Sequence, residues 1–267
     1  MVNLSNQQKG SLLAFVGVMF ITPDSLFIRL SSIDTWELLF YRGAIPSVVI
    51  LIALILFYKS NLIKVTLAMG LAGLFYALTF SITNITFIVS IQNTNVANTL
   101  VMIATAPMLS AILAAVFLKE NPDKNTWIAI LITFLAVVYI FFDSFKLGNF
   151  FGDIFGLITA LGLAVGANII RSVRDKDLVP AAVIGKFLVA IFALFFVDNL
   201  ILQGRDNIIV PLMCIMCVGI PFVLVTIAPR FITAAEVNLF FLLETINGGI
   251  LIIITIAVHS FYKLKKV

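Results

Sequence analysis

The sequence predicts an all-α polytopic membrane protein, built as an inverted repeat of two five-helix units, with nine to ten crossings in this chain. Three observations lead there. Of 267 residues, 62% are hydrophobic and only 11% charged, with 25 Phe, whereas soluble domains run about 45–50% apolar and about 25% charged. Apolar runs of the roughly 20 residues that a bilayer crossing needs recur from end to end, and the loops between them are too short to hold a soluble domain. Matching residues also recur in order at a nearly constant offset along the two halves. With a mean hydropathy of +1.17, this composition excludes a soluble enzyme, a disordered chain and a nucleic-acid reader.

Taken in order, spans are expected near 10–30, 36–58, 66–90, 94–118, 126–142, 152–171, 180–198 and 208–229, with a last apolar stretch over 231–262. The first run continues past Thr22 without a small-residue cleavage site, so it reads as a retained helix and not a leader. Alternate connections, together with the N-terminal segment, carry Lys9, Lys59, Lys64, Lys119, Lys124, Arg171, Arg174, Lys176 and Arg230. The other set holds Arg29, Lys146 and Arg205. Nine against three puts the N-terminus in the cytoplasm of a cell (inner) membrane protein. The stretch 231–262 breaks this regularity. One crossing would leave Lys263, Lys265 and Lys266 outside, and two crossings would leave each arm too short for the bilayer.

Gly10 through Arg29 aligns with Gly152 through Arg171 at an offset of 142, Arg42 with Lys186 at 144, and Ala97 through Leu100 with Ala235 through Asn238 at 138. Halves that lie five spans apart have opposite orientations, which is an inverted-topology repeat. The units expected are 1–148 and 149–267. Ala129 through Tyr139 matches Gly249 through His259 at an offset of only 120. About 18 residues therefore lack a counterpart after Thr245, and the second unit is expected to be shortened near 246–249.

Several short motifs resemble the drug/metabolite transporter superfamily, EamA-like family. They are Thr22-Pro23-Asp24-Ser25-Leu26 with Ile28-Arg29-Leu30, then Leu39-Phe40-Tyr41-Arg42-Gly43 and Ala106-Pro107. Leu118-Lys119-Glu120 ahead of Trp127 follows, and Leu242-Leu243-Glu244 in the second half. The resemblance implies ten helices in two inverted repeats, carrying small metabolites across a membrane, often outward.

Charges deep in a bilayer are costly, about 2.5–3.5 kcal/mol each on insertion scales, and mark cavities or pairs. The embedded set is Asp24, Arg42, Lys186, Glu236 and Glu244, with Asn84 and Asn98 among its polar company. Asp24 and Arg42 lie at matching depths, about 9 Å below the outer surface at 1.5 Å per residue. They form either a structural ion pair or a gate. Pro23 beside Asp24 can kink the first helix. Lys186, the counterpart of Arg42, either flanks a central cavity or snorkels to the interface. Glu244 has no obvious cationic partner, and desolvation disfavours a charged carboxylate, which suits a proton carrier. The candidates for a substrate or proton pathway are thus Asp24, Arg42, Asn84, Asn98, Lys186 and Glu244.

Glu120 reads as a solvated helix-end charge, Gly162-x-x-x-Gly166 and Gly152-x-x-x-Gly156 as close helix contacts, and Cys214-x-x-Cys217 as core packing. His259 stands alone, so no metal site is expected, nor any cofactor. The expected partners are a small-molecule solute, protons and the lipid bilayer, with a homodimer left open and no nucleic acid. The leading expectation is a secondary transporter exporting small metabolites such as amino acids. The alternatives are a shortened relative that no longer transports and a membrane-embedded lipid-processing enzyme.

Overall fold

The computed structural model describes residues 5–120, 127, 128, 131, 132, 135, 150–241, 243 and 244, and among these there is no strand. The span at 126–142, the shortening near 246–249, His259 and the side of the basic tail lie outside the described residues.

Among the described residues, six helices are long and apolar enough to cross a membrane. They are α1 (Asn6–Leu30), α2 (Thr35–Ala68), α3 (Gly70–Asn93), α4 (Val96–Leu118), α5 (Phe150–Ser172) and α7 (Asp206–Arg230), with the shorter α6 (Val179–Leu194) before the last. A further helix, α8, begins at residue 234 and is described to 244. Capping boxes open the first two helices, Ser5 with Gln8 for α1 and Asp34 with Glu37 for α2, each satisfying backbone N–H groups that have no partner in a first turn. Lys119 closes α4 in a left-handed conformation, φ 56°.

Proline explains the irregular turns. It has no N–H to donate to the carbonyl four residues back. α1 breaks at Thr22 and Pro23, where the Thr22 hydroxyl donates to Val18 O at 3.0 Å. α7 widens to a π turn over Cys214–Gly219 just ahead of Pro221. α2 carries Pro46 inside its length without a break in the helix.

The helix ends gather at two faces. At the near face, where α1 begins, Gly10 lies against Phe231 and Ile232, the Tyr58 hydroxyl donates to Asp177, and Arg171 pairs with Glu120 at 3.1 Å. At the far face the Ser32 amide and hydroxyl donate to Asp206, and Arg29 donates to Ile91 O at 2.6 Å and Thr94 O at 2.9 Å. Between the faces α3 packs against α5 and α6, α2 against α6 and α7, α1 against α7, and α4 against α5. Leu56, Phe57, Leu67, Leu71 and Phe117 are each at least 71% exposed, an apolar surface of the kind a bilayer covers.

The main chains of α2 and α6 come close together at Gly43. A Cβ there would stand 2.6 Å from Ala190 N and 2.7 Å from Lys186 O, both backbone atoms of α6. At Gly166 a Cβ would meet only the edge of the Tyr76 ring, at 3.3 Å. Overpacking a tight contact costs about 1–3 kcal/mol. Gly43→Ala is therefore expected to lower the melting temperature in detergent by several degrees, whereas Gly166→Ala leaves it within about a degree, the size of a sub-kcal/mol change. Equal shifts would show that the α2–α6 contact is not the tight one.

Candidate functional site

Asp24, Arg42, Asn84, Lys186 and Glu244 line one cavity between the helices, enclosing about 960 Å³ of open space including its mouth. All eight helices contribute to its wall. It extends from the Asp24–Arg42 level toward the near face, where Ile170 and Pro229 border it close to the ends of α5 and α7.

Asp24 opens the second segment of α1, directly after the proline break, so the kink both turns the helix and aims the carboxylate inward. Arg42 precedes Gly43 at the α2–α6 crossing. The two side chains form a forked pair, Nη1 to Oδ1 at 2.5 Å and Nη2 to Oδ2 at 2.7 Å. Both are buried, at 2% and 5% exposure, and the guanidinium also lies 5.8 Å from the centre of the Phe87 ring. A fork matched to a carboxylate is the geometry in which a buried pair offsets its own desolvation.

Lys186 has a different environment. Its side chain is 1% exposed, so it does not snorkel to the interface. Nζ donates to Asn84 Oδ1 and lies 5.3 Å from the centre of the Phe80 ring. Asn84 is held for this role because its Nδ2 donates to Phe80 O at 2.7 Å, leaving the oxygen to accept. α3 and α6 meet closely here, since the Ser81 hydroxyl donates to Gly185 O at 2.8 Å. No ion pair among the described residues includes Lys186. Asp24 neutralises Arg42 in a direct pair, while the direct polar contacts of Lys186 among the described residues are an amide dipole and an aromatic face.

Glu244, on α8, is 3% exposed, and among the described residues its Oε1 has no hydrogen-bond partner. Asn238, on the same helix and the same cavity wall, is 1% exposed with its Nδ2 likewise unpartnered. An orphaned buried donor or acceptor costs about 1–3 kcal/mol, so two of them facing one cavity make a site that a polar solute would satisfy.

Three expectations need correction. Glu236 is not embedded. It caps the start of α8, accepting from Thr233 N at 2.7 Å, the Thr233 hydroxyl at 2.9 Å and Gln7 Nε2 at 2.7 Å. Glu120 is not simply solvated, because it accepts from Arg171 Nε. Asn98 stands off the cavity, near the far-face start of α4, with its Nδ2 3.4 Å from Thr94 Oγ1. Sequence reading passed over Tyr76 and Phe80, although a Tyr within an apolar run was a visible sign. The Tyr76 hydroxyl pairs with that of Thr226 at 3.0 Å across the cavity wall. Cys214 and Cys217 are free and buried.

Removing one partner of a buried ion pair costs about 3–5 kcal/mol, whereas replacing both by apolar groups is often neutral. Asp24→Leu alone is expected to destabilise the protein strongly in detergent melting, and Asp24→Leu with Arg42→Met to recover most of the loss. Additive losses would mean that the two charges do not stabilise each other.

No curated protein and no solved structure matches the chain. The profile of the EamA-like transporter family matches residues 8–142, just over half its length. A multi-pass helical protein with a polar cavity at its centre agrees with that match, and the chain belongs to the EamA-like transporter family.

Proposed function

We propose that the protein is a secondary transporter that moves a small polar metabolite, an amino acid being the best-matched class, through the central cavity by alternating access. The observation that carries this reading is the convergence of Asp24, Arg42, Asn84, Lys186 and Glu244, from five helices, on one cavity. Lys186 and Glu244 offer opposite charges without close partners, which suits a zwitterion. The surrounding Phe80, Phe87, Phe222 and Phe241 suit an apolar body.

An inverted repeat of units 1–148 and 149–267 fits the way packing partners exchange. α3 against α5 corresponds to α7 against α1, and α3 against α6 corresponds to α7 against α2. Gly152 lies against Asn93 and Thr94 as Gly10 lies against Phe231 and Ile232, again at an offset of 138. Thr99 N donates to Asn95 O as Val237 N donates to Thr233 O. Such a repeat gives a carrier two related conformations with opposite faces closed. The conformer described here is tied at the far face by Arg29, Ser32 and Asp206. Arg171, the counterpart of Arg29, is held by Glu120 beside the cavity's near end. The near face is cytoplasmic on the loop charges, the direction is outward, and the membrane is the cell (inner) membrane.

The test is counterflow in proteoliposomes, with an unlabelled amino-acid mixture inside and the labelled mixture outside. The wild type should accumulate label. Lys186→Met should lower the initial rate at least tenfold, which is about 1.4 kcal/mol, and an unchanged rate would remove Lys186 from the pathway. Glu244→Gln should keep counterflow yet lose accumulation driven by a pH gradient. Retained uphill transport would exclude Glu244 as the proton carrier. Tags at the N-terminus and after Val267, probed in intact cells, test the orientation, and an accessible N-terminal tag would reverse it.

A further inference from the structure

We infer that Arg171 is a latch for the near face, that its closed-state seat is the end of α7 at the carbonyls of Pro229 and Ile232, and that Glu120 holds it off that seat in the conformer described here. The inference rests on the transporter reading with its inverted repeat, and it adds the side chains that switch the near end of the cavity.

The far face supplies the pattern. Arg29 stands one residue before the end of α1, and its guanidinium donates to Ile91 O and Thr94 O at the end of α3. The last carbonyls of a helix have no partner within it, and a cation there also meets the negative end of the helix dipole. Arg171, aligned with Arg29 at the offset of 142, likewise stands one residue before the end of α5. The end of α7 matches the end of α3 at the offset of 138. Thr94 N donates to Ser90 O at 3.0 Å, and Ile232 N to Ala228 O at 3.3 Å. The same offset carries Ile91 and Thr94 onto Pro229 and Ile232. The two carbonyls that Arg29 holds therefore have counterparts for Arg171.

Arg171 lies within reach of that seat. α5 packs against residues 228–230, and Ile170 and Pro229 both border the cavity. The Arg171 charge also acts on Glu236, which is bonded to Thr233 just after the end of α7. In this conformer, however, Arg171 is turned to the segment after α4, where its Nε donates to Glu120 Oε1 at 3.1 Å. The hold is made at one point. Glu120 Oε2 has no partner among the described residues, unlike the fork that joins Arg42 to Asp24. The two side chains are 15% and 36% exposed, and a partly exposed pair is weak, which suits a contact that must break in each cycle. At the far face, where the arginine caps the neighbouring helix, the ends are tied. At the near face, where it does not, the cavity reaches the ends of α5 and α7.

The test is labelling of a Val225→Cys reporter on the cavity wall, in a chain whose two native thiols are removed by Cys214→Ala and Cys217→Ala. A membrane-impermeant maleimide is applied outside intact cells and outside inverted membrane vesicles, so that each face is probed alone. The starting protein should label faster from the near face. Glu120→Gln should slow labelling from that face about fivefold, which is about 1 kcal/mol in the open–closed equilibrium, and should speed it from the far face. Adding Arg171→Gln to Glu120→Gln should restore the near-face rate, and Arg171→Gln alone should not slow it. A static surface pair is broken equally by either substitution, so like effects of Glu120→Gln and Arg171→Gln would overturn the latch. Unchanged rates in Glu120→Gln, slower labelling from both faces, or a starting protein that labels from neither face would overturn it too. Failed counterflow with this labelling pattern intact would sink the transporter reading and leave the latch, and working counterflow with no response to Glu120→Gln would do the opposite.

Discussion

The contact that the rest of the architecture depends on is the backbone-to-backbone approach of α2 and α6 at Gly43. In a bilayer no hydrophobic effect drives one apolar helix onto another, so close packing of small residues has to do it. At Gly43 the two main chains come near enough that even a methyl group would collide with Ala190 N and Lys186 O. Arg42 is the residue before this contact and Lys186 is part of it. One steric fact therefore fixes both cations on the wall of a single cavity. Gly185 against Ala77 and Gly156 against Met102 and Ser90 repeat the device at other helix pairs, and together they bring α3, which carries Asn84, alongside Lys186.

With the scaffold fixed this way, its polar groups divide into two kinds. Most hydroxyls inside the helices are satisfied locally, as Ser81 and Thr83 are by the carbonyls of Ala77 and Thr79, or by each other, as Thr86 and Thr159 are at 2.8 Å. These contribute to packing and ask nothing of a ligand. Asn238 Nδ2 and Glu244 Oε1 have no such partner and face the cavity. An unsatisfied polar atom in a low-dielectric interior is the costly case, and here two of them fall on one helix and one wall. Ser25, Asp153 and Asn168 also carry an unpartnered buried oxygen among the described residues, so Asn238 and Glu244 stand out by their place on the cavity wall.

The crossings that the described residues cover were legible in the sequence because hydropathy over 20 residues averages out local detail. Asp24, Arg42, Lys186 and Glu244 were legible because a charge within an apolar run is rare. What could not be read was which polar residue meets which. Glu236 has the same hydropathic surroundings as Glu244, yet it serves Thr233 and Gln7 as a cap. The difference is set by where α8 begins, and that depends on a turn after Arg230 that no periodicity marks. Asn98 lies two residues into α4, close to the far face and off the cavity, and depth near a helix end is ambiguous when the helix bounds are read from hydropathy. Phe80 was hidden because an apolar ring can face lipid or a cavity, whereas the hydroxyl of Tyr76 within an apolar run was a sign left unread. Glycine was legible only as a packing residue.

The two buried cations differ in how they respond to closure of the cavity. The Asp24–Arg42 pair is neutral as a unit and fully hydrogen-bonded to itself, so either face can close over it at little electrostatic cost. Lys186 is different. While the near end of the cavity is open, water can reach toward its ammonium. Closing both faces over an empty cavity would leave that charge with one amide oxygen, and desolvating an uncompensated ion costs several kcal/mol. In the proposed transport cycle an anionic group of the solute would offset that cost, and such a difference between the empty and the loaded state is what a ligand must supply to drive a conformational equilibrium.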